Sequence, residues 1–280
     1  MSGCLYIVST PIGNLEDISD RARRVLAEVD MVAAEDTRHS GQLLSALGIS
    51  TRLVSCHDHN ERERAVGLVE RLLAGESVAL ISDAGTPLIS DPGFRLVRAC
   101  HEAGVPVVPV PGASAVLAAL AAAGLPTDRF IFEGFVPPKG APRRQALERI
   151  VAQSATCVLF EAPHRLQALL DELIALAGPE REVVLCRELT KRFETILPGT
   201  LESLAERVAT DSDQLRGEIV LVLAGAPARA PGREDLERLA RLLRDELPAS
   251  RAARLLAAWS GGKRQEMYEL VEALGGSGGE

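Results

Sequence analysis

Short β-branched or apolar runs alternate with helical patterns along most of this chain, and no other feature restricts its fold as much. The pattern predicts strands at Leu5–Ser9, Met31–Ala34, Arg52–Ser55, Val78–Ser82 and Val107–Pro109. Helices fall between them at Ser19–Glu28, His39–Leu47, Glu61–Ala74 and Gly93–Ala103, with Gly48 and Gly104 as stops. Strands this apolar need cover on both faces, which is the α/β arrangement. After an alanine-rich helix, Ser114–Ala123, the alternation resumes. It gives strands Phe130–Glu133, Thr156–Glu161, Glu182–Cys186, Glu194–Leu197 and Glu218–Leu223 and helices Arg143–Gln153, His164–Ala177 and Leu201–Ala209.

With 280 residues, 46% of them hydrophobic, the chain can bury more than one core. The expected division is an α/β domain over 1–116, a second α/β domain over 117–228 and a small helical domain over 229–280. Gly124-Leu125-Pro126 breaks a helix at the first junction, and the Pro/Gly-rich Ala226–Gly232 forms the second. The tail reads as helices Glu234–Glu246, Arg251–Trp259 (with Ser250 as N-cap) and Lys263–Leu274. The last two, joined by Ser260-Gly-Gly, have helix-turn-helix spacing.

Thirty-one Lys and Arg against 39 Asp and Glu leave a net charge of -8, which argues against indiscriminate coating of nucleic acid. Six Phe, two Tyr and one Trp are too few for a dense base-stacking platform, so any RNA contact must be electrostatic and local. The five cysteines are widely spaced, with no C-x-x-C, and read as buried thiols of a cytoplasmic protein. Met1 to Thr10 lacks the basic-then-apolar order of a signal peptide, so none is expected, and the most apolar stretch, Ala113–Leu125, is too short to span a bilayer.

Three loops rich in Gly, Pro and small polar residues each follow a strand: Thr10-Pro-Ile-Gly-Asn-Leu15, Asp83-Ala-Gly-Thr-Pro-Leu-Ile-Ser-Asp-Pro-Gly93 and Pro109-Val-Pro-Gly-Ala-Ser114. Ligands of open α/β sheets sit at the carboxyl ends of strands, where small residues admit close backbone approach. Together the loops imply one composite pocket. Neither G-x-G-x-x-G nor G-x-x-x-x-G-K-[ST] occurs at them, so the expected ligand is a small neutral or cationic molecule rather than a polyphosphate. Glu35-Asp36-Thr37-Arg38 and His57 with Asn60 also follow strands and are candidates for the pocket edge. Asp58 and Glu61 read as solvated charges or caps. His57-Asp58-His59 lacks a third defined ligand, so no metal site is expected. Lys139, Arg143, Arg144, Arg165, Lys191 and Arg192 are expected to form a cationic rim suited to RNA or another anion.

Several of these stretches together resemble one family. They are Ser9-Thr-Pro-Ile-Gly-Asn-Leu-Glu-Asp17, Ala34-Glu-Asp-Thr-Arg38, His57 with Asn60-Glu61, Ser82 through Gly93, Pro111-Gly-Ala-Ser-Ala115, Phe160-Glu-Ala-Pro-His-Arg165, and Lys263-Arg264 with Tyr268. The sequence resembles the tetrapyrrole-methylase-like S-adenosylmethionine-dependent methyltransferases, and within them the branch acting on small-subunit ribosomal RNA. The resemblance implies two α/β domains with S-adenosylmethionine in the cleft between them, and a homodimer. It also implies methylation of the ribose 2′-oxygen of a cytidine in the decoding region of 16S rRNA, within the small ribosomal subunit. The family's cofactor positions fall here on Pro11, Gly13, Ser82, Asp83, Gly85, Ser114, Ala115, Glu161, Ala162, Leu189 and Thr190. The helical tail, with Lys263 and Arg264 as RNA contacts, is what the tetrapyrrole enzymes lack.

A ribose hydroxyl needs a base or electrostatic help as it reacts. Asp36, His57 and Glu35 are the candidate bases, and Arg38 or Lys191 the electrostatic partners, with Asp36 and Arg38 preferred on the substrate side. Two rival readings are a tetrapyrrole or other small-molecule methyltransferase and a non-enzymatic RNA-binding protein.

Overall fold

The computed structural model describes residues 3–57, 61–227 and 232–275. Tertiary contacts divide the chain into two compact units, 1–225 and 226–280. The first holds two five-stranded sheets.

The first sheet is built from β1 (Leu5–Val8), β2 (Met31–Ala34), β3 (Leu53–Ser55), β4 (Val78–Ile81) and β5 (Val107–Val110). All its pairings are parallel, in the order β3-β2-β4-β1-β5. Every residue of β2 and β4 is buried, as strands covered on both faces require. Alternate side chains serve opposite faces. Leu5, Met31, Val78 and Leu80 pack with α3 (Glu61–Leu73) and α4 (Phe94–Glu102), through Leu68, Leu72, Leu96 and Cys100. Val8, Val32, Ala79 and Ile81 meet α1 (Asp20–Glu28) and α2 (Thr37–Ala46), through Ala22, Val25, Leu26 and Leu44. Helix α1 starts after Ser19, whose hydroxyl accepts the Ala22 amide, and α2 after Asp36, whose carboxylate accepts the Arg38 amide.

Helix α5 (Ala115–Ala123) follows β5 and packs on the second sheet, its Val116, Ala119 and Leu120 against Val158, Val184 and Val220. That sheet comprises β6 (Phe130–Phe135), β7 (Thr156–Glu161), β8 (Glu182–Arg187), β9 (Thr195–Thr200) and β10 (Ile219–Leu223), in the order β6-β7-β10-β8-β9. Only β6 and β7 run parallel; the other pairings are antiparallel. Its other face carries α6 (Gly140–Val151), α7 (Leu166–Ala177) and α8 (Leu201–Thr210) over Leu159, Leu185 and Leu221. Two strands that contain prolines extend past their expected ends, β5 by one residue beyond Pro109 and β9 through Pro198. Both are edge strands, where a missing N–H costs no ladder bond.

The second unit consists of α9 (Arg233–Glu246), α10 (Ala249–Ser260) and α11 (Arg264–Gly275), closed around Ala240, Ala252, Ala253, Leu256, Met267 and Val271. Helix α10 begins before the expected Ser250 cap, because Pro248 takes the N-cap position and its carbonyl accepts the Arg251 and Ala252 amides. Among the described residues no helix is long and apolar enough to cross a membrane.

Candidate active site

The three small-residue loops of the first sheet are laced together by hydrogen bonds. Thr10 and Gly85 exchange backbone bonds of 2.9 and 3.1 Å. The Ser9 and Thr86 hydroxyls lie 3.0 Å apart, and Thr86 donates to the Ala113 carbonyl at 3.0 Å. Gly85 is in the left-handed region at φ 81°, and a Cβ there would press on Ile12. The loops thus form one wall of a cavity of about 430 Å³, closed on the other side by Phe135, Phe160, Glu161, Ala162, Leu189 and the start of β10. Glu35, Asp83, Asp91 and Glu218 line it together with Ile12, Ile89 and Val116, and among the described residues no Lys or Arg does. Such a lining suits a cationic, partly apolar ligand and repels phosphate.

Of the expected cofactor positions, Asp83, Gly85, Ser114, Ala115, Glu161, Ala162 and Leu189 line this cavity. Pro11 and Gly13 line an adjoining groove of about 270 Å³ with His39, Gln42 and Leu43, and Asp83 belongs to both spaces. Ser82 lies buried beneath, its hydroxyl donating to the Ala84 and Gly85 carbonyls. Thr190 supports its neighbour Leu189 with φ at 67° and its amide bonded to Glu194 at 2.6 Å. Among the described residues the non-glycine positions with left-handed backbone are Leu88, Ser90, Glu188 and Thr190. All four sit in the two loops that flank the cavity, and conformations of this cost concentrate where a fold must fix a ligand contact.

Glu161 reaches the cavity in an unexpected role. Its carboxylate is fully buried, accepting Arg143 Nη1 at 3.1 Å, Arg165 Nε at 2.6 Å and the Ala162 amide at 2.8 Å. Arg143 also binds Glu172 at 2.7 Å and is only 6% exposed, so it does not belong to a cationic rim as the sequence suggested. It is a buried counter-charge that fixes the turn after β7. Its partners lie 18 and 29 residues away, beyond any local pattern. The available hint was its place in the first turn of α6, where the helix dipole disfavours a cation.

Lys191 is likewise engaged, with Nζ 2.9 Å from Glu188 and 3.1 Å from Glu218. Burial pulls its pKa down, but these two bonds outweigh burial and leave it raised. Its stem lies over Gly13, where any Cβ would overlap it. Lys139, Arg144 and Arg192 are exposed on this unit, Arg144 pairing with Glu148 and Arg192 lying over the Phe193 ring. Lys263 and Arg264 are exposed in the second unit.

Asp36, expected on the substrate side, is the N-cap of α2 and does not line the cavity. Hydrogen bonds from Arg38, at 3.0 Å to the guanidinium and 2.8 Å to the amide, hold its carboxyl at about 2. Its own amide donates to Asp83 at 3.1 Å, tying the two loops together. His57 follows the edge strand β3 and lines neither space. Asp58, His59 and Asn60 lie outside the described residues. Glu61, expected as a solvated charge or a cap of the helix it opens, is buried and caps a different helix, accepting the Gly93, Arg95 and Leu96 amides at the start of α4. Among the described residues no three His, Cys, Asp or Glu side chains are grouped to hold a metal ion.

Comparison with known proteins accords with this geometry. A model of the tetrapyrrole (corrin/porphyrin) methylases matches residues 4–205. The chain belongs to the tetrapyrrole methylase family. A second model, the RsmI C-terminal HTH domain, matches residues 230–275. Ribosomal RNA small subunit methyltransferase I of Pseudomonas aeruginosa is 53% identical to this tetrapyrrole methylase over 272 residues, covering 96% of each chain. The Haemophilus influenzae protein of the same name is 48% identical, also over 96% of each. A solved uroporphyrin-III C-methyl transferase from Thermus thermophilus, in complex with S-adenyl homocysteine, superposes with a TM-score of 0.54 at 23% identity. It covers 79% of this chain and 97% of its own, and its likeness is one of fold.

Proposed function

We propose that this protein transfers a methyl group from S-adenosylmethionine to the ribose 2′-oxygen of a cytidine in the decoding region of 16S rRNA. It does so on the small ribosomal subunit, in the cytoplasm, as a homodimer. The observation that carries the reading is the 53% identity to a ribosomal RNA small subunit methyltransferase I along nearly the whole of both chains. The cavity supports it, since its carboxylates and apolar walls fit a sulfonium and an adenine, and Gly85 leaves backbone within reach. The Thr190 hydroxyl, buried and without a partner among the described residues, adds a polar group beside Leu189.

Bound S-adenosylmethionine supplies an electrophilic methyl on a sulfonium, open to in-line displacement by an oxygen. The protein's task is alignment and exclusion of water. Asp83 and Gly85, on a loop stitched to those of Thr10 and Ala113, fix one side of the cofactor. Ala162, held by Glu161, and Leu189 fix the other. Proton removal from the ribose belongs to Glu35, whose residue lines the cavity. Asp36, held at about 2 by Arg38, is a poor proton acceptor at neutral pH. Arg38 and the exposed cations Lys139, Arg144 and Arg192 contribute attraction for the RNA.

The deciding experiment is transfer of labelled methyl to small subunits lacking 2′-O-methyl marks, followed by alkaline hydrolysis of the RNA. Alkali cuts through a free 2′-hydroxyl, so label in an uncleaved dinucleotide supports the proposal. Label in mononucleotides assigns the reaction to a base, and cofactor binding without transfer to RNA assigns the protein to a small-molecule substrate.

A further inference from the structure

Helix α10 has two opposite faces. Ala249, Ala252, Ala253 and Leu256 are buried in the core of the second unit. Arg251, Leu255 and Trp259, at i, i+4 and i+8, share an exposed stripe flanked by Arg254. Leu255 is 42% exposed and Trp259 54%, which is costly in water for the largest apolar side chain in the chain. The helix contains no acid, and neither Arg251 nor Arg254 has an ion-pair partner among the described residues. In a chain of net charge -8, an acid-free helix with two unneutralised guanidiniums is a local exception.

Its neighbours mix acids with their cations. Arg233 and Arg241 of α9 both pair with Glu237. Helix α11, second of the helix-turn-helix pair and the one that would read a groove, exposes Glu266, Glu269 and Glu272 along its length. Phosphate is repelled there. Only the start of α11 is cationic, with Lys263 and Arg264 four and five residues beyond Trp259 and Lys263 in an exposed, long pair with Glu266 at 3.7 Å.

We propose that the exposed face of α10, not α11, is the RNA-binding surface of this unit. An unpaired base stacks on Trp259, while Arg251, Arg254 and Lys263 hold the adjoining phosphates. The occupant is single-stranded RNA, because a base is free to stack on an indole only when it is out of a duplex, and guanidiniums beside the ring match the backbone charge. The proposal rests on ribosomal RNA being the substrate.

Trp259 is the sole tryptophan, so its emission in the full-length protein reports on this face alone. In the free protein the emission is expected to be that of a solvent-exposed indole, and an unstructured oligoribonucleotide should quench it. Trp259→Ala should raise the KM for small subunits about tenfold, the usual effect of losing one stacked base. S-adenosylmethionine affinity should not change, and Trp259→Phe should restore most of the KM. The pair Arg251→Gln and Arg254→Gln should flatten the salt dependence of binding by about 1.4 in slope, as two lost single-strand phosphate contacts imply. Glu269→Gln with Glu272→Gln should leave the KM no worse. The proposal is overturned by emission typical of a buried indole in the free protein, or by quenching with whole subunits but not with RNA. An unchanged KM in both the Trp259→Ala and the double-arginine variants overturns it as well. If the wild-type protein transfers no methyl to subunits, the proposed function fails, and oligonucleotide quenching still judges the α10 face by itself.

Discussion

At the scale of single residues, Glu61 shows how a charge whose sequence setting suggests solvent or a local cap can hold a distant helix in place. The N-cap of α4 is Gly93, which has no side chain to cap it, and Glu61 of α3 fills that role from 32 residues away with one oxygen on three amides. An anion at a helix N-terminus satisfies orphan N–H groups and the dipole together. Glu61→Ala should destabilise the protein by about 2 kcal/mol, from the lost cap and the unsatisfied buried amides. Glu61→Gln, which keeps an acceptor, should cost roughly half as much, and urea unfolding of both variants measures the difference. Asp36 offers a pH test. Its carboxyl is lowered from 3.8 to about 2, first by the Arg38 side-chain bond, so the stabilisation it lends is complete above 3.8 and fades as pH falls toward 2. Carbon-detected NMR should find the Asp36 midpoint near 2 and, in Arg38→Gln, higher but still below 3.8, because the Arg38 amide bond remains. Burial pushes the Cys56, Cys100, Cys157 and Cys186 thiols up to about 11, so iodoacetamide at neutral pH should label none of these four in the native protein.

At the scale of elements, what could be read in sequence was what local pattern encodes. The four-residue apolar runs of β2 and β4 and the start of α1 at Ser19 are statements about neighbouring residues, and they lie where the periodicity predicts, whereas α2 begins two residues before its expected start at His39 because Asp36 caps it. The direction of the strands in the second sheet is not local. One clue was present: the seven residues between β8 and β9 are too few for a parallel crossover, so the two strands had to run antiparallel. The three small-residue loops were legible as one pocket because Gly and Pro mark them. The ion cluster Arg143–Glu161–Arg165 was not, because charge in a sequence carries no sign of its burial. That cluster gives a further prediction. Glu161→Gln leaves the Arg165 guanidinium without its anion and Arg143 with Glu172 alone, and should destabilise the protein by about 3 kcal/mol. It should also weaken S-adenosylmethionine binding, because the Ala162 amide loses the carboxylate that orients it. Calorimetric titration beside urea unfolding separates the two effects, and Arg144→Gln, at an exposed cation on the same helix, should produce neither.

At the scale of the whole molecule, the cores decide which functions can be separated. Four hydrophobic clusters draw all their residues from 5–223, and a fifth lies wholly within 236–274. Every residue lining the cavity falls between Ile12 and Val220. A cut after Gly225 therefore crosses no core and removes no lining residue, and the segment it frees begins outside the last strand of the second sheet. A protein ending at Gly225 should fold cooperatively and bind S-adenosylmethionine with the affinity of the full chain, as calorimetry will show. Its transfer to small subunits should fall, with the loss in KM rather than in the rate at saturating substrate, because the removed helices supply uniform binding and no group at the cavity. A matching loss of cofactor affinity would instead mean that the helical unit supports the catalytic fold. A fall in the saturated rate alone would mean that the tail acts on the reacting groups, and the arginines of α10 would then need another explanation.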